Sequence, residues 1–401
     1  MSAKNVILIT GSDLADAALG MLEDYELVFA GRQPTEAQLI ALCQQHNPVA
    51  ILVRYGHITA AVMDAAPALK VIAKHGSGID VIDVEAAAAR GILVRAATGA
   101  NAAAVSEHTW ALILACAKSV IPLDRRLREG HWDKSTHKSL ELEGRTLGLI
   151  GLGAIGSRVA KIACAFGMKV LAYDPYAKAV PPECERVAEL SELLMQADVL
   201  SLHCPLTQQN RGMINAATLA QCKPGAILVN TARGGLIDDA ALAAALKAGT
   251  LRWAALDSFN SEPLTTPHIW QAIDNVILSP HVGGVSDASY VKMGTAAAAN
   301  ILQVLQELAQ TETTYYVLTE PALPVNYSAL MHLRAASAGR VSVAPAGEIT
   351  AQQAAWEVIN ACPAALRLRG PTMFELTGYI RRPGKRSATR QNNRATGLRG
   401  R

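Results

Sequence analysis

Short apolar runs alternate with amphipathic stretches along the first ~100 residues. Val6–Ile9, Leu27–Phe29, Ala50–Val53, Val71–Ala73 and Ile92–Val94 read as strands. Helix-period segments lie between them, around Asp13–Asp24, Thr35–His46, Thr59–Ala66 and Val84–Arg90. Alternation of this kind predicts a parallel α/β layer. A long apolar-periodic stretch from Asn101 to about Arg128 then predicts one long helix. A second α/β series follows, with strands at Leu147–Ile150, Lys169–Tyr173, Val199–His203, Ala226–Asn230, Trp253–Leu256 and Val276–Ser279. It predicts a doubly wound parallel sheet. An Ala-rich helix from Ser286 to about Ala309 comes after it, and from about Thr311 the periodicity fades.

Composition agrees with a globular chain. Half of the 401 residues are hydrophobic and 18% are charged, which excludes a disordered or fibrous protein. No stretch reaches the ~18 uncharged apolar residues of a spanning helix. The longest candidate, His108 to Leu123, is cut by Lys118. The N-terminus lacks the apolar core and cleavage site of a signal peptide, so a cytoplasmic location is expected. The seven cysteines are scattered, odd in number and without a C-x-x-C pair. Neither a disulfide framework nor a metal site is expected from them. The formal charge of +3 hides an asymmetry. Residues 331–401 carry 12 Lys/Arg against 3 Asp/Glu, leaving 25 against 31 for residues 1–330.

The strongest local motif is Gly151-Leu152-Gly153-Ala154-Ile155-Gly156, directly after the strand ending at Ile150. In a dinucleotide-binding turn the first glycine permits the tight turn and the second lets backbone approach a pyrophosphate. The third allows close helix–strand packing, and the helix N-terminus faces the phosphates. Asp174 ends the next strand, 18 residues after Gly156. A carboxylate there can bind both ribose hydroxyls of NAD and repel the 2′-phosphate of NADP. The nearest basic residue downstream is Lys178, so NAD is favoured. The other polar clusters sit at carboxyl ends of later strands, where ligands bind in open α/β sheets. They are His203-Cys204-Pro205, Asn230-Thr231-Ala232-Arg233-Gly234-Gly235, Asp257-Ser258-Phe259-Asn260-Ser261-Glu262-Pro263 and Ser279-Pro280-His281-Val282-Gly283-Gly284.

These motifs, in this order over roughly residues 50–305, resemble the D-isomer-specific 2-hydroxyacid dehydrogenase family, most closely its 3-phosphoglycerate dehydrogenase branch. The resemblance implies a Rossmann NAD lobe, residues 100–285, inserted into a flavodoxin-like substrate lobe, residues 1–99 and 286–310. It implies three catalytic residues. Arg233 would bind the substrate carboxylate and polarise the carbonyl, a job suited to a planar guanidinium. His281 would be the general acid in keto-acid reduction and the base in reverse. Glu262 would fix its tautomer and raise its pKa. Gly151, Gly153, Ala154, Ile155, Gly156, Asp174, Cys204, Pro205, Thr231, Ala232, Asp257, Gly283 and Gly284, with Arg233 and His281, would contact NAD. Arg54 and the loop bearing Ser77 and Gly78 would contact substrate. The resemblance also implies a homodimer paired through the cofactor lobe and its long helix.

The sequence departs from the family pattern at Ser258, at Tyr55 after Arg54, and in the Val-Gly-Gly-Val-Ser-Asp run after His281. The alternatives are a hydroxypyruvate or glyoxylate reductase and, in another class, a dinucleotide-sensing corepressor-like protein. The intact Arg233, Glu262 and His281 favour an enzyme over a sensor. His75, His203 and Cys204 read as architectural or pocket-lining. In residues 311–401, Val341–Val343 suggests a strand and Thr350–Ala361 a helix. Beyond Ile380 the basic, polar composition predicts a disordered tail. No aromatics interleave those charges, so nucleic-acid binding is not expected.

Overall fold

In the structure, a computed structural model, residues 4–319 are described, with side chains to residue 310. The strand and helix expected at Val341–Val343 and Thr350–Ala361, and the basic tail, lie outside the described residues. Five parallel strands form a first sheet: β1 (Val6–Ile9), β2 (Glu26–Phe29), β3 (Ala50–Val53), β4 (Val71–Lys74) and β5 (Leu93–Ala96). Their order is β2-β1-β3-β4-β5, that of the flavodoxin-like doubly wound sheet. A second parallel sheet holds β6 (Thr146–Ile150), β7 (Lys169–Tyr173), β8 (Glu185–Arg186), β9 (Val199–Leu202), β10 (Ala226–Asn230), β11 (Leu251–Leu256) and β12 (Val276–Leu278). Its order, β12-β11-β10-β9-β6-β7-β8, reverses direction between β6 and β9. That reversal makes the crevice where a dinucleotide binds, outside the carboxyl ends of the strands.

Strands covered by helices on both faces are apolar throughout rather than alternating. Ala50, Ile51, Leu52 and Val53 are all fully buried. In the second sheet, successive residues split between two cores. Ile150, Leu200, Leu202 and Leu228 join one cluster, and Leu147, Leu149, Val199 and Ile227 the other. This is the period-two geometry of a strand buried on both sides.

The stretch after Asn101 is two helices, Ala102–Lys118 and Val120–Arg128, not the single helix expected. Ser119 breaks it with a left-handed φ of 54°. The cause is Pro122, whose ring would collide with the Lys118 carbonyl in a continuous helix and which has no N–H to donate to it. The first of these helices anchors the second sheet. Its buried Trp110 donates to the Val159 carbonyl at 3.2 Å and stacks on Phe166.

The first helix of the chain is also shorter than expected, Asp16–Met21, which leaves Asp13 in the loop after β1. The Ala-rich helix runs from Asp287 to Thr319, past the point where periodicity fades, because each added residue extends a helix at the gain of one hydrogen bond. The chain divides into two compact units, Met1–Gln306 and Glu307–Arg401, and every residue of the candidate site belongs to the first.

Candidate active site

The glycine motif takes the geometry that a pyrophosphate needs. Gly151 has a φ of 102°, and a Cβ there would lie 2.7 Å from the His203 carbonyl carbon. Gly153 caps the 12-residue helix Ala154–Ala165 without a side-chain bond, and a Cβ on it would meet nothing within 4 Å. An open approach at a helix N-terminus is what an anionic phosphate requires. Ala154 and Ile155 form the first turn behind it. The residues present therefore fit a dinucleotide.

Asp174 stands just beyond β7. Its Oδ2 accepts from Leu152 N at 2.8 Å, and its Oδ1 accepts from the N–H groups of Tyr176 and Ala177 at 2.9 and 3.0 Å. The carboxylate is thereby locked against the glycine turn, at the rim of a cavity of about 340 Å³ lined by Tyr173, Asp174, Pro175, Arg186, Val187 and Ala188. The Arg186 guanidinium donates to the Asp174 and Ala177 carbonyls at 2.9 and 3.4 Å. Sequence reasoning missed this arginine, because β8 has only two residues, both polar and exposed.

Cys204 and Pro205 follow β9 beside Gly151. Burial pushes the Cys204 thiol up to about 11, so it stays neutral. Burial likewise pushes His203 down to about 4, and its Nε2 pairs with Ser201 Oγ at 2.8 Å. Both are wall residues rather than acid–base groups.

The loop after β10 is shaped by fully buried Asn230. Its Oδ1 accepts from Ala232 N at 3.0 Å and its Nδ2 donates to the Arg233 carbonyl at 2.9 Å. Thr231 Oγ1 bonds Thr109 Oγ1 at 2.9 Å, tying the loop to the helix at Ala102–Lys118. Arg233 projects onto the loop after β4. Its Nε donates to Asp80 Oδ2 at 2.9 Å and Nη1 to the Ala232 carbonyl at 2.8 Å, with Nη2 ion-paired 2.8 Å from the same Asp80 oxygen. A Cβ on Gly78 would lie 1.7 Å from Nη2, so only glycine admits the guanidinium. Of its five N–H groups, one on Nη1 and those on Nη2 remain for a substrate carboxylate. Ser77 Oγ donates to Asn101 Oδ1 at 3.3 Å and holds the same loop from the other side.

His281 Nδ1 lies 2.7 Å from Glu262 Oε2, while Glu262 Oε1 accepts from Phe259 N at 2.9 Å. The hydrogen bond to Glu262 raises the His281 pKa above its ordinary 6.5, against the opposing effect of burial. Burial pushes Glu262 up, but its bonds from His281 and Phe259 outweigh this and hold it below the usual range. Arg233 acts electrostatically on both, which puts all three groups in one site.

Asp257 is buried beneath this loop. Its Oδ1 accepts from Ser279 Oγ at 2.6 Å and Val282 N at 3.0 Å, and its Oδ2 from Gly283 N at 2.8 Å. It is thus an anchor that holds His281 in place, a role the sequence did not reveal. Gly284 packs beside it, so close to Asn101 that a Cβ would lie 2.6 Å from Nδ2. Arg54, at the end of β3, is not a free cation. It is paired with Asp13 and stacked between Tyr55 and Tyr290.

The chain is similar to known proteins. Residues 110–283 match the family described as D-isomer specific 2-hydroxyacid dehydrogenase, NAD binding domain. The chain is 40% identical over 326 residues to a D-3-phosphoglycerate dehydrogenase of Methanocaldococcus jannaschii, covering 79% of this chain and 60% of that protein. It is 42% identical over 253 residues to a hydroxypyruvate reductase of Thermotoga maritima, covering 62% of this chain and 81% of that protein. A solved structure of a Thermus thermophilus protein superposes with a TM-score of 0.69 at 38% identity, over 75% of this chain and 97% of that one. The chain thus spans less than two thirds of the length of the phosphoglycerate dehydrogenase relatives it matches.

Proposed function

This chain belongs to the D-isomer specific 2-hydroxyacid dehydrogenase family, and we propose that it interconverts a D-2-hydroxy acid and its 2-keto acid with NAD. We assign the substrate lobe to residues 1–99 and 286–310, the NAD lobe to 100–285, and 311–401 to an extension outside the catalytic machinery. The observation that carries this reading is the 2.7 Å pair of His281 and Glu262 beside an arginine that still has N–H groups on Nη1 and Nη2 to offer.

Arg233 holds the substrate carboxylate with its remaining N–H groups and draws the neighbouring carbonyl toward its positive charge. His281 keeps Nδ1–H on Glu262, so its proton leaves from Nε2, onto the carbonyl oxygen in reduction. In oxidation the same Nε2 takes the hydroxyl proton, and Glu262 stabilises the imidazolium that forms. NAD, when bound, supplies or accepts the hydride. Gly151, Gly153, Ala154, Ile155, Gly156, Asp174, Cys204, Pro205, Thr231, Ala232, Arg233, Asp257, His281, Gly283 and Gly284 are the proposed NAD contacts.

Two substrate classes fit the family. The resemblance to phosphoglycerate dehydrogenases supports 3-phosphoglycerate, whereas Tyr55 and the engaged Arg54 support the hydroxypyruvate or glyoxylate alternative. NADH absorbance followed with phosphohydroxypyruvate, hydroxypyruvate and glyoxylate tests the class. Turnover of at least one is expected, and turnover of none would refute it. A homodimer is also proposed. Helix Val120–Arg128 buries no residue, and Val120, Ile121, Leu127 and Trp132 are exposed, which suits a self-associating face.

The pH dependence follows from His281. As an acid it must carry its proton, and its pKa is raised above 6.5. Keto-acid reduction should therefore hold on the acid side and fall as pH rises through that raised value. In Glu262→Gln the bond that raises the pKa is lost while burial, which lowers it, remains. The alkaline fall in kcat/KM should move to lower pH, a shift that a pH–rate profile measures directly. An unmoved profile would show that Glu262 does not tune His281.

A further inference from the structure

The Arg54 side chain is only 11% exposed and is ion-paired with Asp13. Its Nη1 donates to the Asp13 carbonyl at 2.5 Å and to the Asp13 carboxylate. The guanidinium carbon lies 5.3 Å from the Tyr55 ring centre and 5.1 Å from that of Tyr290. The Tyr290 hydroxyl in turn donates to Asp13 Oδ1 at 2.8 Å. The backbone beneath is pinned as well, because Thr10 Oγ1 accepts from Arg54 N and Tyr55 N and donates to the Tyr55 carbonyl. Asp13 remains ionised at neutral pH, its carboxyl held below the usual range by Arg54 and then by Tyr290.

Lys74 and His75 nearby are held within the fold, while Arg32 acts electrostatically on Asp13 and helps keep it ionised. Lys74, on the strand next to Arg54, points its amine at the Val53 and Arg54 carbonyls, 3.4 and 3.1 Å away. Burial first, then Arg233 and Arg54, push that amine down to about 8. His75 is pushed down to about 4, chiefly by burial, and is neutral beside Tyr290. A keto acid held by Arg233 would extend its far end along the β4 loop toward this cluster. A phosphate there would meet the Asp13 carboxylate on the very arginine it needs, at a separation where like charges repel strongly. An uncharged hydroxyl or a hydrogen atom would meet no such repulsion.

We propose that Asp13 is a specificity-determining residue which, by occupying Arg54, excludes 2-keto acids with a second anionic group and leaves the site to those whose far end is uncharged. This rests on the dehydrogenase reading and chooses within it, toward hydroxypyruvate or glyoxylate and away from phosphohydroxypyruvate. It uses repulsion as well as attraction to discriminate, as specific sites commonly do.

The test compares NADH-dependent reduction of phosphohydroxypyruvate and hydroxypyruvate by the full chain, by Asp13→Asn and by Asp13→Ala. The wild type should favour hydroxypyruvate in kcat/KM by about tenfold or more. In both variants the ratio should move toward the phosphorylated acid by about tenfold, carried by a fall in its KM rather than a change in kcat. Inorganic phosphate should become a stronger competitive inhibitor in the variants. The proposal is overturned if the wild type prefers the phosphorylated acid, or if the ratio stays within about twofold in both variants. Absence of turnover with every 2-keto acid would instead overturn the dehydrogenase reading itself.

Discussion

Replacing His281 with Asn should lower kcat for keto-acid reduction by about 10²–10⁴-fold, the usual contribution of a positioned general acid. NADH binding, followed by fluorescence, should change little. Asparagine is the informative substitute because His281 has a left-handed φ of 53°, a conformation that asparagine tolerates better than most residues. The Asp257 anchors at Val282 N and Gly283 N involve backbone only and should survive. What disappears is the imidazole whose proton the Glu262 bond stabilises. Retained turnover would mean that another acid does this work. Among the nearby candidates, His203 and His75 are both pushed down to about 4 and would be poor donors of the required strength.

Arg233→Lys should be nearly as damaging, although the charge is kept. The guanidinium makes two protein hydrogen bonds, one to Asp80 and one to Ala232, is ion-paired with Asp80 through Nη2, and still presents N–H groups to a carboxylate. An ammonium has three donors and no plane, so it cannot serve both sets. Losing two charge-assisted hydrogen bonds, each worth about 1.5–3 kcal/mol, corresponds to a fall in kcat/KM of about 10²–10⁴-fold. The loss should extend to KM for the keto acid, because this arginine binds as well as polarises. Stability should hardly move. The Asp80 side chain is 51% exposed and Arg233 30%, so their ion pair orients rather than stabilises. A large drop in melting temperature with normal kinetics would contradict this division of labour.

Much of the catalytic core was legible because it is local. The glycine turn, Asp174 and the loops after β10 and β12 each follow a strand whose apolar run is unmistakable. A parallel sheet brings those strand ends together whatever lies between them. What was not legible depends on distant partners or on single residues that interrupt a pattern. Pro122 lay inside an apolar-periodic stretch, and its clash with Lys118 turned one expected helix into two. Asp13, Arg54 and Tyr290 are separated by up to 277 positions, so nothing in the sequence links them. Read alone, Arg54 is a substrate contact; in the fold it is also paired with Asp13 and lies over the Tyr55 and Tyr290 rings. The bonds by which Asp257 holds the His281 loop were also not legible, because they join residues some 22 to 26 positions apart. Arg186 escaped notice because a two-residue edge strand has no periodicity.

The measurement that bears most directly on the central reading uses the full chain, NAD and the two enantiomers of a 2-hydroxy acid such as glycerate. NADH should accumulate with the D enantiomer and not with the L enantiomer, and the His281→Asn protein should abolish the signal. NADH formation from the L enantiomer, or none from either enantiomer of glycerate or 3-phosphoglycerate and none from achiral glycolate, would contradict the account.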